Sequence, residues 1–146
     1  MTQKTFLPML RELARTYQAF ESYSAAHVRT LNITPPQFDI IATLGNTQGM
    51  SFKELGDRTL ITKGTLTGVV DRLAAKNIVR RTASPSDGRS QIVQLTPEGE
   101  ALFSKAFPAH IEHVGRAFNN LSQAELDNTE AALSRLREAL TVAGTS

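Results

Sequence analysis

A chain of 146 residues with 40% apolar side chains can form one domain with a modest core, and its net charge of +2 indicates no strong overall bias. The absence of cysteine excludes disulfides, zinc–thiolate sites and thiol redox sensing. No stretch approaches about 18 uninterrupted apolar residues and the N-terminus lacks a signal-peptide pattern, which predicts a cytoplasmic protein that does not enter a membrane.

The first two predicted helices are marked by prolines and a cap. Residues 4–31 form one long helix in this interpretation, because apolar side chains recur at three- and four-residue steps. Pro8 then has to lie in its first turn. Thr34 and Gln37 form a capping box that opens a second helix, which extends to about Leu44.

Two short capped helices follow. Ser51 and Glu54 form a second capping box for a helix that ends near Arg58, and Thr62 caps the next one. A pair of short helices separated by a few residues is typical of a helix-turn-helix. The second helix, residues 62–77, turns Leu66, Val69, Val70 and Leu73 inward. Its other side is small and polar, which suits the major groove of DNA.

Residues 78–95 predict a two-stranded hairpin whose polar tip, residues 84–90, contains an Asp-Gly turn pair. Thr96 and Pro97 then start a long helix to about Asn119, in which Pro108 should produce a kink. A third capping box, Ser122 to Glu125, starts the last helix. Its seam of Leu126, Leu133, Leu136 and Leu140 has little local core to cover, which favours pairing with a second copy.

Positive charge is concentrated in one segment. Residues 53–89 hold eight Lys/Arg and four Asp/Glu, a net +4, whereas the rest of the chain carries −2. A nucleic-acid interface requires such a concentration. If only the charge is considered, a basic surface that contacts only solvent is the alternative explanation.

From about Ser51 to Leu102 the chain resembles the winged helix-turn-helix of the MarR family of bacterial transcription regulators. The DRL at 71–73, the D-x-R at 87–89 and the LTPEG at 95–99 carry the resemblance. It implies a mainly α fold with a small β-hairpin wing in a single domain, residues 1–146. The winged lobe would span residues 33–98, flanked by dimerisation helices at 4–31 and 100–143.

Hydroxyls and cations on the presumed recognition helix, together with the resemblance, predict the residues that contact DNA. In the wing, Arg89 can enter the minor groove, with Asp87 aiming its guanidinium. Arg80 and Arg81 alternate in direction, and the resemblance favours Arg81 as the one that faces DNA. Helix capping is the alternative role of Thr62 and Gln37. The predicted DNA-binding set is Gln37, Thr62, Lys63, Thr65, Thr67, Arg72, Arg81 and Arg89.

The resemblance also implies partners. It implies a homodimer on an inverted-repeat operator, acting as a repressor that a small aromatic carboxylate or phenolic effector releases. The effector region would involve Arg15, Tyr17, Tyr23, His27 and Phe38, for which a plain role in the core is the alternative. No cofactor is predicted.

Other classes of function have less support. An enzyme is disfavoured because the chain has no nucleophile elbow, phosphate loop or cysteine. A metal-responsive regulator using His27, His110 and His113 is a second alternative. A winged helix used only for protein contact is the third, but it would not need Arg89 or a threonine-rich helix face.

Overall fold

The computed structural model of the protein describes residues 4–86 and 88–145, which form six helices and three short strands. The fold is mainly helical with a small antiparallel sheet, as predicted. The elements are α1 (Leu7–Thr30), α2 (Pro35–Leu44), β1 (Met50–Ser51), α3 (Phe52–Arg58), α4 (Lys63–Ala75), β2 (Val79–Ala83), β3 (Gln91–Leu95), α5 (Pro97–Arg116) and α6 (Gln123–Gly144).

The starts of α1 and α2 confirm the predictions made from proline and capping residues. Pro8 lies in the first turn of α1. At α2, the Thr34 hydroxyl accepts from the Gln37 amide at 3.3 Å, and the Gln37 side-chain oxygen accepts from the Thr34 amide at 3.1 Å. Both halves of the capping box are therefore present, and they fix where α2 begins.

The sheet has one strand more than the sequence predicted. Its order is β1-β3-β2, and β1 pairs Met50 with Val93 and Ser51 with Ile92. A two-residue strand is too short to show an alternating pattern, so sequence reasoning found only the hairpin. The predicted capping box at Ser51 is only half formed. The Ser51 hydroxyl accepts from the Glu54 amide at 3.1 Å, but the Glu54 carboxylate lies near that same hydroxyl at 3.5 Å.

Thr96 connects three elements at the base of the hairpin. Its hydroxyl accepts from the Gly99 amide at 3.0 Å and donates to the Asn77 carbonyl at 2.6 Å, while its amide donates to the Ile78 carbonyl at 3.0 Å. A Cβ on Gly99 would lie 2.1 Å from that Ile78 oxygen, so only glycine fits there. We call these four residues the Thr96 junction. It fixes the end of α4, the base of the wing and the start of α5.

The last two helices differ from prediction at one boundary. Helix α5 ends at Arg116 rather than near Asn119, because residues 117–119 close i→i+3 hydrogen bonds that tighten the last turn. Pro108 lies inside α5, and the kink remains a prediction. The capping box from Ser122 to Glu125 is confirmed at the start of α6.

The core lies between α2, α3, α4 and the sheet, where Ile40, Leu55, Val70, Leu73 and Val93 are each fully buried. The chain divides into two compact units between Glu112 and His113. In the second unit, helix α6 buries none of its described side chains. None of the helices in the part of the chain that the structure describes has the length and apolarity needed to cross a bilayer.

Candidate nucleic-acid interface

Helix α4 presents an open polar face. Its inward residues Leu66, Val69, Val70 and Leu73 are buried, as predicted. The other side exposes Lys63, Thr65, Thr67 and Arg72, and a Cβ added at Gly64 or Gly68 would meet no atom within 4 Å. The face is therefore low and unobstructed, and a second surface can approach the helix backbone closely.

The start of α4 differs from the predicted cap. Thr62 occupies the N-cap position, but its side chain accepts no backbone hydrogen bond. Its hydroxyl donates instead to the Thr65 hydroxyl at 3.1 Å, because the Thr62 carbonyl already receives the amides of Thr65 and Leu66. Two hydroxyls therefore lie together at the surface where the helix begins.

Helix α2 contributes Gln37 and a residue that sequence reasoning missed. Gln37 is only 5% exposed, since its side-chain oxygen serves the cap. The half-buried Asp39 carboxylate accepts from the Leu60 amide at 2.9 Å, in the turn between α3 and α4. Burial raises the pKa of Asp39 above its ordinary 3.8, and the Leu60 hydrogen bond opposes that shift. The sequence around Asp39 did not indicate that its side chain would accept a hydrogen bond from a residue 21 positions later.

The hairpin carries Arg89 at an exposed position in its tip. The ladder between β2 and β3 runs to Ala83 and Gln91, and the Ser84 amide then donates to the Ser90 carbonyl at 2.9 Å. These bonds close the base of the tip. Asp87, predicted to support Arg89, lies outside the described residues.

The two arginines of β2 lie on opposite faces of the sheet. Arg80 is exposed and pairs across the ladder with Gln94. Arg81 shares the core-side face with buried Val79, opposite Val93. Its guanidinium bonds to the Asp71 carboxylate and lies 5.3 Å from the centroid of the Phe52 ring. The structure therefore places Arg81, predicted to contact DNA, against α3 and α4.

A second cluster brings together two of the predicted effector residues. The His27 and His110 Nδ1 atoms are 2.9 Å apart, and the Ser24 hydroxyl lies 3.1 Å from His110 Nε2. The Phe38 ring meets His110 edge-on at 4.5 Å between centroids. His110 is only 5% exposed, and the sequence had not indicated it as an effector residue. Because the Nδ1 contact needs one N–H and one lone pair, the two rings cannot both carry a proton there.

The other predicted effector residues lie elsewhere on α1. Tyr23 is half-buried one turn before His27. Arg15 and Tyr17 are exposed and lie about 15–18 Å from His27 along the helix, at about 1.5 Å per residue. The Tyr17 hydroxyl donates to Glu21 at 3.1 Å, and this hydrogen bond raises the pKa of Tyr17.

The histidines do not form a metal centre within the described part of the chain. The Nδ1 atoms of His27 and His110 are in contact. Among residues 4–86 and 88–145, no group of three or more His, Cys, Asp or Glu side chains is arranged to hold a metal ion.

The model of the MarR family matches residues 33–91, from before α2 to the start of β3. The chain belongs to the MarR family. It is 29% identical over 136 residues to the HTH-type transcriptional regulator MhqR of Bacillus subtilis, covering 93% of both chains. It is 32% identical over 94 residues, 64% of both chains, to the homoprotocatechuate degradative operon repressor of Escherichia coli.

Solved structures agree with this membership. BpsR of Bordetella bronchiseptica, whose DNA binding is regulated by 6-hydroxynicotinic acid, superposes with a TM-score of 0.80 at 25% identity. The match covers 94% of this chain and 98% of that one. This MarR-family chain is therefore a DNA-binding transcription regulator and not an enzyme, and the open face of α4 beside the hairpin is its candidate DNA interface.

Proposed function

We propose that this MarR-family protein is a repressor that binds an inverted-repeat operator as a homodimer and is released by a small aromatic effector. The observation that carries the DNA-binding part is the exposed face of α4, which is polar and unobstructed at Gly64 and Gly68. An α-helix with such a face fits the major groove. Two-fold symmetry would place two copies in grooves about 34–36 Å apart.

The roles of individual side chains follow from their chemistry. Thr65 and Thr67 can contact base edges or the thymine methyl, while Lys63 and Arg72 can reach guanine or phosphate. Thr62 lies exposed at the start of α4, where contact with the backbone of DNA is favoured, whereas the Gln37 side chain is buried in the cap of α2. Arg89 at the hairpin tip would enter the flanking minor groove, where A·T tracts concentrate negative potential.

The homodimer is supported by apolar side chains that each unit leaves exposed. On α1, Leu7 is 54% exposed and Phe20 is 45% exposed. In the second unit, Leu133 is 50% exposed and borders a groove with Phe118 and Leu126. Large apolar side chains in this number on long helices are typical of an interface.

The effector proposal rests on the cluster around His110. An imidazole pair beside the Phe38 ring offers N–H donors for a carboxylate and an aromatic wall for a ring. Two relatives support the chemical class, since one is named for homoprotocatechuate and the other responds to 6-hydroxynicotinic acid. Tyr23 is close enough along α1 to join this site, whereas Arg15 and Tyr17 would need another conformation or a second copy.

The DNA-binding proposal is tested by sequencing genomic DNA that the purified protein retains, followed by gel shifts on the recovered operator. We expect an inverted repeat with A·T-rich flanks. Arg89→Ala should cut affinity most where those flanks are A·T-rich, and Thr67→Ala should change the preferred bases. Retention of DNA without any common sequence would contradict a specific operator. Full binding by Arg89→Ala would contradict the wing contact.

The effector proposal is tested with a panel of benzoates and phenolic acids. An effector that binds the DNA-free conformation should raise the melting temperature and weaken operator binding together, because the two equilibria are linked. His27→Ala should remove both effects, and Glu12→Gln, an exposed change on α1 outside the predicted effector residues, serves as the control. If no compound changes either quantity, this effector class is wrong.

A further inference from the structure

We propose that Arg81 is a positioning residue that holds the wing at a fixed angle to the recognition helix, and that it does not contact phosphate. Its partners are Asp71 on α4 and Phe52 on α3. We call these three residues the Arg81 bracket. The inference rests on the proposed DNA contact by the wing, and its test separates the two.

The direction of Arg81 is set by the strand. Successive side chains of β2 point to opposite faces, so Arg81 shares a face with buried Val79. The opposing residue of β3, Val93, is fully buried. Arg81 therefore continues the core-facing row of the sheet at the point where the core ends, and its side chain has to cross toward α3 and α4.

The contacts hold the guanidinium in place. Asp71 accepts its hydrogen bond, and the Phe52 ring lies under its cationic plane. Its Nε is buried without a hydrogen-bond partner. Swinging the side chain out to a phosphate would break the ion pair and uncover the Phe52 ring. A lysine would lack the planar group that both contacts use.

Asp71 gives the bracket a second consequence. It lies on the exposed side of α4, with more than half of its side chain accessible, on the face proposed to meet DNA. An unpaired carboxylate there would repel phosphates. Arg81 neutralises this charge, so the pair joins the wing to α4 without placing a net negative charge in the groove.

Asp71→Asn gives opposite results under the two roles of Arg81. If Arg81 contacts phosphate, removing Asp71 frees the arginine and removes a negative charge, so operator affinity should rise. If the bracket positions the wing, affinity should fall, by about threefold to tenfold, in the range seen for coupling between contacting residues. Removing the Asp71 charge by itself favours binding to phosphates. A fall in affinity therefore has to come from the lost contact with Arg81.

The second measurement is a salt titration of operator binding by dimeric wild type, Arg81→Ala and Arg81→Lys. Loss of a phosphate contact flattens the log–log salt slope by about 0.9 per contact. We expect a weaker Kd with an unchanged slope for Arg81→Lys, because lysine keeps the charge that neutralises Asp71 but loses the planar group. Arg81→Ala should weaken binding further, because it also leaves Asp71 unpaired. Arg80→Ala is the matched control, because it removes the same charge from the opposite face of the same strand. A flatter slope for Arg81→Ala alone, with full rescue by Arg81→Lys, would overturn the proposal.

A third comparison tests whether the bracket acts through the wing. Arg89→Ala should cost less affinity in the Arg81→Ala background than in wild type, since a displaced wing has less contact to lose. Equal losses in both backgrounds would overturn the positioning role. If Arg89→Ala costs nothing in wild type, the proposed wing contact fails, and the Asp71→Asn result alone decides whether the bracket holds. If Arg81→Ala does not fold, Arg81→Lys and Asp71→Asn carry the same comparison.

Discussion

Asp39 links α2 to the helix-turn-helix through one hydrogen bond to the Leu60 amide. We expect Asp39→Ala to lower the free energy of unfolding by about 1 kcal/mol, the usual net value of one such bond. Operator affinity should fall as well, because Leu60 lies three residues before the start of recognition helix α4. Asp39→Asn keeps an oxygen acceptor and is the control. Operator binding unchanged in Asp39→Ala would show that the turn holds its conformation without this contact.

The raised pKa of Asp39 gives a prediction for stability against pH. Burial favours the protonated carboxyl in the folded state, so the contribution of this group to stability is fully present below pH 3.8. It is lost as the pH rises through the raised pKa of the folded state. Asp39→Asn has no such loss, so its stability relative to wild type should improve with pH across this window. Urea unfolding over a pH series measures the difference, and a constant difference would contradict the shift.

For single residues, sequence patterns predicted which way a side chain points better than which partner it contacts. Alternation along β2 correctly required Arg80 and Arg81 to lie on opposite faces of the sheet. It could not show that the Arg81 guanidinium would contact Asp71 and Phe52. Thr62 was placed correctly at a helix start, yet its hydroxyl found Thr65 instead of an amide. Long or rotatable polar groups choose among partners that only the packed structure brings near.

Two helical glycines lie in opposite surroundings, since Gly99 is crowded by backbone and Gly68 is open. Gly99→Ala should destabilise the protein by about 1–3 kcal/mol, because the added methyl would overlap the Ile78 carbonyl, a backbone atom that cannot rotate away. Gly68→Ala meets no neighbour and should stabilise α4 by up to about 1 kcal/mol. Thermal unfolding of the two variants measures both signs. Equal shifts of the melting temperature in the same direction would contradict the difference in crowding between Gly99 and Gly68.

Helix boundaries were largely predictable because caps are local. Thr34 with Gln37 and Ser122 with Glu125 mark their helices within three residues of sequence, and both boxes form. Strand β1 was not predictable, since its two residues are extended only by pairing with β3. At Ser51, this pairing and the start of α3 share one residue, and only half of the expected cap forms.

The assembled protein should be an obligate homodimer. Glutamate at both Leu133 and Leu136 should give unfolded or aggregated protein, because α6 buries none of its described side chains within one chain. Arg135→Ala, an exposed change between them, is the control. The melting temperature of wild type should rise with protein concentration. Sedimentation showing a folded monomer for the double variant would place the interface elsewhere.

The Thr96 junction has a consequence for how the wing exchanges its amide hydrogens. The Ile78 amide donates to the Leu73 carbonyl of α4, the Thr96 amide to the Ile78 carbonyl and the Gly99 amide to the Thr96 hydroxyl. All three should therefore exchange slowly, through near-global unfolding. Gly88 is exposed in the tip, and its amide should exchange faster than the three amides at the base. The amides of the wing would then be protected at its base and would exchange quickly at the tip, which is the end proposed to enter DNA. Slowing of tip exchange on adding operator would locate that end directly.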